Sequence, residues 1–289
     1  MTGSTGGVLY VVATPIGNLE DVTQRALRVL READWIAAED TRATRKLLTR
    51  FGIPSPRILS CFVANEARRA KELAERLTRG ETGVLVSEAG TPGISDPGAK
   101  IVQAATVAGA RVVPVPGASA VTAALSASGF PADRFTFLGF LPSSRRDRAE
   151  LLDRIDRTLD TMVLYESPRR AARTLADLSG RAPERPCVVF REMTKMHEEA
   201  IRGALGDVAS RVAASSSRGE YVIVLGPAVA VVVAVDKDDL ARAMAEELGR
   251  GVSLSEAARD VARHFGVSRS ETYRVGLALR GREEERETR

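Results

Sequence analysis

The sequence predicts an α/β fold in two successive halves, followed by a small helical unit. Three observations carry that expectation. Short apolar runs rich in β-branched residues each end in a Gly/Pro turn, with a helical pattern after it. The same plan resumes after an arginine-rich interruption between Ser128 and Arg148, and beyond residue 236 the patterning becomes purely helical. With 289 residues the chain has room for two ordinary domains, and 44% hydrophobic against 28% charged residues is the balance of a globular protein.

In chain order, the first strand pattern runs from Val8 to Ala13 and stops at "TPIGN". "VTQRALRVLREADW" then places Ala26, Leu27, Leu30 and Ala33 on one helical face, with Glu20, Asp21 and Thr23 as polar residues at its start. "NEARRAKELAERL" repeats the helical spacing with Leu73 and Leu77. Gly83 to Ser87 is a strand ahead of "EAGTPG", and Arg111 to Val115 is another ahead of "PGASA". These elements define a first domain over residues 7–118. "SGFPADRFTFLGFLPSSRRDR" is rich in turn formers and arginine and reads as a mobile connection. Strand patterns return in "TMVLYESPRR", "CVVFREMTK" and "GEYVIVLGP", which places a second domain over 119–228.

After the apolar run "AVAVVVAVD", three helical patterns follow, "DDLARAMAEEL", "SLSEAARDVARHFGV" and "SRSETYRVGLAL", a separate unit over 236–281. The last two have a helix-turn-helix layout that would line Arg269, Arg274 and Arg280 along the second helix, suited to phosphate. Residues 282–289 are charged without periodicity and are expected to be disordered.

Composition narrows the function classes. No apolar run approaches the roughly 20 residues that span a bilayer, and no positive n-region opens the chain, so a cytosolic protein is expected. Cys61 and Cys187 stand in no paired spacing and are expected to pack as small hydrophobes, while His197 and His264 have no second ligand set nearby, so no metal site is expected. Of the 42 basic residues only five are lysine and the rest are arginine, whose guanidinium fork suits phosphate.

The run "SEAGTPGISDPG" is the densest motif. Gly93 and Gly98 have the spacing of a phosphate-binding P-loop, but Ala99 stands where its lysine belongs, Lys100 comes one position late, and Ile101 replaces the metal-binding hydroxyl. Pro97 also removes an amide donor, and no G-x-G-x-x-G follows any strand. What remains is a set of Gly/Pro loops at the carboxyl ends of strands, where open α/β sheets bind ligands and small residues let a ligand reach the backbone.

Together, "TPIGNLEDVTQRAL", "AEDTR", "SEAGTPGISDPG", "PVPGASA", "YESPRR", "REMTKMHEE" and "GEYVIVLG" closely resemble the ribosomal small subunit methyltransferase I family, within the tetrapyrrole (corrin/porphyrin) methylase superfamily. The match runs over residues 8 to 226. It implies a two-domain tetrapyrrole-methylase-like fold with a cofactor cleft between the domains. The implied enzyme uses S-adenosylmethionine to methylate a cytidine ribose 2′-hydroxyl in the decoding region of 16S rRNA within the small ribosomal subunit, and acts as a homodimer. Carried over by position, the cofactor would meet Pro15, Ala89, Gly90, Thr91, Ile94, Ser119, Ala120, Glu166 and Met193. Gly90-Thr91-Pro92 departs from the Gly-Asp-Pro usual in tetrapyrrole methylases, which favours RNA over a corrin, and Glu88 stands where the ribosomal family usually has Asp. A tetrapyrrole methylase and a non-catalytic ribosome-assembly protein are the competing readings.

Methyl transfer to a hydroxyl is an in-line displacement in which positioning does most of the work, and a base adds on the order of 10²- to 10⁴-fold. Asp40, Glu88 and Lys195 are the candidate bases, the lysine only if burial or a cationic neighbour lowers its pKa. Arg42, Arg45, Arg145, Arg146, Arg169 and Arg170 flank the site motifs and are expected to meet RNA phosphates.

Overall fold

Residues 6–215, 218–228, 237–265 and 267–287 are described by the computed structural model. Strand β1 (Val8–Val12) leads through a short 3-10 turn at Leu19–Asp21 to helix α1 (Gln24–Glu32). That helix starts where Thr23 accepts the Ala26 N–H at 3.0 Å. There follow β2 (Trp35–Ala38), α2 (Thr41–Arg50), β3 (Arg57–Ser60), α3 (Glu66–Thr78), β4 (Thr82–Val86), α4 (Ala99–Val107) and β5 (Arg111–Val115). All five strands pair in parallel, in the order β3-β2-β4-β1-β5.

Side chains alternate across this sheet with the period of two that a strand imposes. Ile36, Ala38, Val84 and Val86 pack with α1 and α2, while Trp35, Ala37 and Leu85 pack with α3 and α4. Gly83 makes room for Trp35, since a Cβ there would fall 2.1 Å from the indole. Strands β2 and β3 escaped the sequence reading because four residues place only two side chains on each face, too few to show a period.

The second sheet is built from β6 (Phe135–Phe140), β7 (Thr161–Glu166), β8 (Pro186–Arg191), β9 (Glu199–Ala204) and β10 (Tyr221–Leu225), in the order β6-β7-β10-β8-β9. Helices α6 (Arg145–Asp156), α7 (Pro168–Ser179) and α8 (Leu205–Ala214) share one core with it. Helix α5 (Ala120–Ser128) packs with Val163, Val188, Phe190, Val222 and Val224 of its other face.

Two expectations are corrected here. The segment from Ser128 to Arg148 is not a mobile connection, because it contains β6 and the start of α6. Phe135, Thr136 and Phe137 pair in parallel with Thr161, Met162 and Val163, and Phe137 and Phe140 meet Tyr165 edge-on at 4.9 and 5.7 Å. The turn formers serve the ends of these elements: Gly139, at φ +62, lies where the register shifts, and Ser144 is the cap of α6. The βα plan also fails after β8, which turns back into antiparallel β9 and leaves only the β6–β7 pair parallel in this sheet.

Residues 1–228 form one compact unit and 229–289 another. In the second, α9 (Lys237–Gly249), α10 (Leu254–Phe265) and α11 (Arg269–Glu287) surround Leu240, Met244, Leu254, Ala257, Ala258 and Val261. Helix α11 extends through the stretch expected to be disordered as far as Glu287. Its run of Arg and Glu is made of good helix formers that prolong a helix already nucleated. The apolar run over 229–235, the side chain of Arg280 and residues 288–289 lie outside the described residues. Arg269 and Arg274 reach Ser255 Oγ at 2.6 Å and the Ser270 carbonyl at 3.3 Å. Cys61 and Cys187 are free and fully buried. Among the described residues no helix is long and apolar enough to cross a membrane.

Candidate active site

Neighbouring strands β1 and β4 send their following helices, α1 and α4, to opposite faces of the first sheet, so the loops at their carboxyl ends diverge. That divergence is where doubly wound sheets open a crevice. The loops are stitched across it. Thr14 and Gly90 exchange both backbone hydrogen bonds, at 2.9 and 3.0 Å, and Thr91 Oγ1 donates to the Ala118 carbonyl of the β5 loop at 3.2 Å.

The β4 loop needs its glycines. Gly90, Gly93 and Gly98 all have positive φ (+81, +82 and +149), and even Ser95 is held at +65. Glu66, buried at the start of α3, fixes the loop's far end: one of its oxygens accepts the N–H groups of Gly98 at 2.8 Å and Lys100 at 3.0 Å, capping α4 from outside its own segment.

A cavity of about 370 Å³ lies between the two sheets' loops. Its wall includes Glu88, Ala89, Gly90, Thr91, Ile94, Ser119, Ala120 and Glu166 from the motifs, and also Ile16, Glu39, Asp96, Phe140, Tyr165 and Glu220. Two residues expected at the cofactor are not in this cavity's wall. Pro15 lines a second hollow, of about 340 Å³, on the α2 side of the same loops. Met193 is buried in the apolar cluster that also holds Ile16, Ala120 and Tyr165. Glu88 lines both cavities.

The first cavity's charge is one-sided. Five carboxylates and no basic side chain are in its wall among the described residues. Glu166 is tied to Arg170 at 3.2 Å and to Thr174 Oγ1 at 2.7 Å, and Glu220 to Lys195 at 2.9 Å. Glu39, Glu88 and Asp96 have no ion-pair partner among the described residues, and Glu39 accepts only the Glu88 N–H at 3.3 Å. Burial raises the Glu39 pKa above the ordinary carboxylate value, and it pushes Asp96 up to about 6, with Glu39 and Glu88 adding to that rise. Tyr165 is driven up to about 12 by burial and by Asp96. Glu39, Asp96 and Tyr165 sit inside the motifs "AEDTR", "SEAGTPGISDPG" and "YESPRR", and only Asp96 carried a local signal, an acidic residue within a glycine turn.

Among the candidate bases the geometry discriminates. Asp40 is the cap of α2, accepting the N–H groups of Arg42 at 2.6 Å and Ala43 at 3.0 Å, which lowers its pKa and makes it a poor proton acceptor. Lys195 does not meet the condition set for it. Burial works against its charge, but hydrogen bonds to Glu220 and Glu192 outweigh burial and hold the pKa above the ordinary lysine value. Only Glu88 faces the cavities with a carboxylate that caps nothing.

Arg170 is withdrawn from the phosphate set, because it is engaged by Glu166, the Leu141 carbonyl and Ser143 Oγ. Arg42, Arg45, Arg145, Arg146 and Arg169 are exposed, Arg146 pairing with Glu150 one turn on.

The family model of the Tetrapyrrole (Corrin/Porphyrin) Methylases matches residues 8–209. A ribosomal RNA small subunit methyltransferase I of Synechocystis sp. is 41% identical over 275 residues, 94% of this chain and 98% of that one. A protein of the same name from Xylella fastidiosa is 47% identical over 225 residues, 77% of this chain and 82% of its own. Among solved structures, uroporphyrin-III C-methyl transferase from Thermus thermophilus, complexed with S-adenyl homocysteine, is similar with a TM-score of 0.53 at 21% identity, over 78% of this chain and 100% of that one. The structural likeness concerns the fold.

Proposed function

This chain belongs to the ribosomal RNA small subunit methyltransferase I family of the tetrapyrrole (corrin/porphyrin) methylases, and on that footing we propose that it methylates small-subunit rRNA with S-adenosylmethionine. The finer proposal is that the acceptor is the ribose 2′-hydroxyl of a cytidine in the decoding region of 16S rRNA. The protein would act in the cytoplasm as a homodimer, with residues 7–118 and 119–228 as the two domains that enclose the cofactor and 236–281 as an accessory helical domain.

The observation that carries the reading is the one-sided charge of the larger cavity. S-adenosylmethionine, when bound, supplies a methyl group on a cationic sulfur. A wall with three carboxylates free of ion pairs favours such a cation and disfavours a phosphate-bearing nucleotide in the same place. The cradle fits as well. Gly90 lines it at φ +81, and a Cβ there would stand 3.3 Å from Ile16 Cγ2, so the backbone itself is offered to the ligand. Ala89, Gly90, Thr91, Ile94, Ser119 and Ala120 would hold the cofactor, largely through small side chains and main chain. The same acidic wall weighs against porphyrin and corrin precursors, which are polycarboxylates.

Glu88, common to both cavities, stands to accept the proton of the ribose hydroxyl as the methyl is received. The exposed Arg42, Arg45, Arg145, Arg146 and Arg169 would hold RNA phosphates and orient the strand without reading its sequence. The test is to incubate the protein and labelled S-adenosylmethionine with unmodified small subunits, then map the label by alkaline hydrolysis. Label at a single alkali-resistant cytidine is the expected result. Label on a base, or none, would overturn the ribose assignment.

A further inference from the structure

We infer that the second cavity, beneath α2, receives the acceptor nucleotide itself, turned out of its strand, with Lys46 holding its phosphate. This inference rests on the proposed methylation of RNA. The hollow encloses about 340 Å³. That is at the small end of the roughly 300 to 1,000 Å³ of small-molecule sites, large enough for one nucleotide and too small for a duplex.

Its chemistry is unlike that of its neighbour. Pro15, Leu19, Ala43 and Leu47 supply apolar wall for the face of a base, and Lys46 is the one cation among its described lining residues. The hydroxyls around it are already committed: Thr44 Oγ1 donates to the Asp40 carbonyl at 2.8 Å, and Ser87 Oγ to the Ala89 and Gly90 carbonyls, each at 3.3 Å. Recognition there would therefore rest on apolar contact plus one positive charge. Lys46 makes no salt bridge among the described residues, and Arg42 precedes it by four positions on α2, so the two point along one helix face as successive phosphate contacts would require.

Position completes the argument. Among the described residues Glu88 is the one that lines both cavities, and of the two residues in the stitched bridge Thr14 lines the second cavity and Gly90 the first. A nucleotide seated against α2 would bring its ribose to Glu88 while leaving the acidic cavity to the methyl donor. A-form RNA displays its 2′-hydroxyls in the minor groove, so it is the size of the hollow, and not access to the oxygen, that calls for a single nucleotide turned out of its strand.

The experiment uses the full chain and two variants that leave the first cavity untouched. Lys46→Ala removes the cation, and Leu19→Trp fills the hollow from a partly exposed position. S-adenosylmethionine affinity is measured by calorimetry, and methyl transfer to unmodified small subunits by initial rate. Expected are cofactor affinities within about twofold of the wild type. Lys46→Ala should lose about tenfold in kcat/KM, mainly through KM, with the logarithmic salt slope reduced by about 1. Leu19→Trp should lose at least about 100-fold. Wild-type kcat/KM in both variants would overturn this inference while leaving the methyltransferase reading intact. Absence of transfer by the wild-type protein would overturn that reading and this inference with it.

Discussion

Asn18 and Thr194, 176 residues apart, are joined by a hydrogen bond in which the Asn18 N–H donates to Thr194 Oγ1 at 3.1 Å. The loop after β1 thereby rests on the loop after β8. The fit is close, since a Cβ on Gly17 would fall 2.8 Å from that same oxygen and 2.5 Å from Lys195 Cγ. Thr194 and Glu192 are both held at positive φ, +65 and +53, so local strain is maintained where the two halves of the chain meet.

Thr194→Val keeps the branched shape and removes only the acceptor. The Asn18 N–H is exposed to water, so the expected loss is about 1 kcal/mol, seen as a melting temperature lower by about 2 to 4 °C. An unchanged melting temperature would mean that the two loops are held by packing alone.

Gly90→Val should abolish S-adenosylmethionine binding and leave the fold in place. The residue sits at φ +81, where a β-branched side chain is strained, and its Cβ would enter a 3.3 Å contact with Ile16 at the cavity wall. Calorimetric titration checks this, and wild-type affinity would remove the glycine loop from the site.

Of three substitutions at acidic and basic candidates, Glu88→Gln should lower turnover by about 10²-fold or more with cofactor affinity nearly unchanged. Asp40→Asn should have little effect, because asparagine caps a helix as well as aspartate does. Lys195→Met should disturb stability more than turnover, since it strands Glu192 and Glu220 without their cation. Single-turnover rates separate these outcomes, and full activity in Glu88→Gln would leave catalysis to positioning.

Asp96 makes stability depend on pH. Its folded pKa is raised from 3.8 to about 6, so the native state holds that proton more tightly than the unfolded chain. Its contribution is neutral below the unfolded value, becomes unfavourable as pH rises between 3.8 and about 6, and is fully unfavourable above that. Asp96→Asn should therefore raise the melting temperature at pH 8 and leave it nearly unchanged at pH 4. Equal shifts at both pH values would show that the carboxylate is not desolvated.

Arg185 is buried and donates to four carbonyls: Gly226 at 2.9 Å, Ile155 at 3.2 Å, Thr158 at 3.3 Å and Asp160 at 3.1 Å. Arg185→Met fills a similar volume but leaves those oxygens without donors. A loss of at least about 2 kcal/mol in denaturant unfolding is expected. A smaller loss would mean that water replaces the guanidinium.

What the sequence determined by itself was whatever local conformation demands of a residue type. The glycines of "SEAGTPGISDPG" were legible because positive φ selects glycine, and the strands at Val84 to Val86 and Val222 to Val224 because buried β-strands select branched apolar residues. The tertiary structure alone decided what each carboxylate does. Asp40, Glu66, Glu88 and Asp96 are indistinguishable as sequence symbols, yet one caps its own helix and one caps a helix 32 residues away. Another borders two cavities, and the last is desolvated beside Tyr165. The reason is range: backbone preference is set within about one helical turn, whereas a charge responds to every dipole and solvent boundary that folding brings near it.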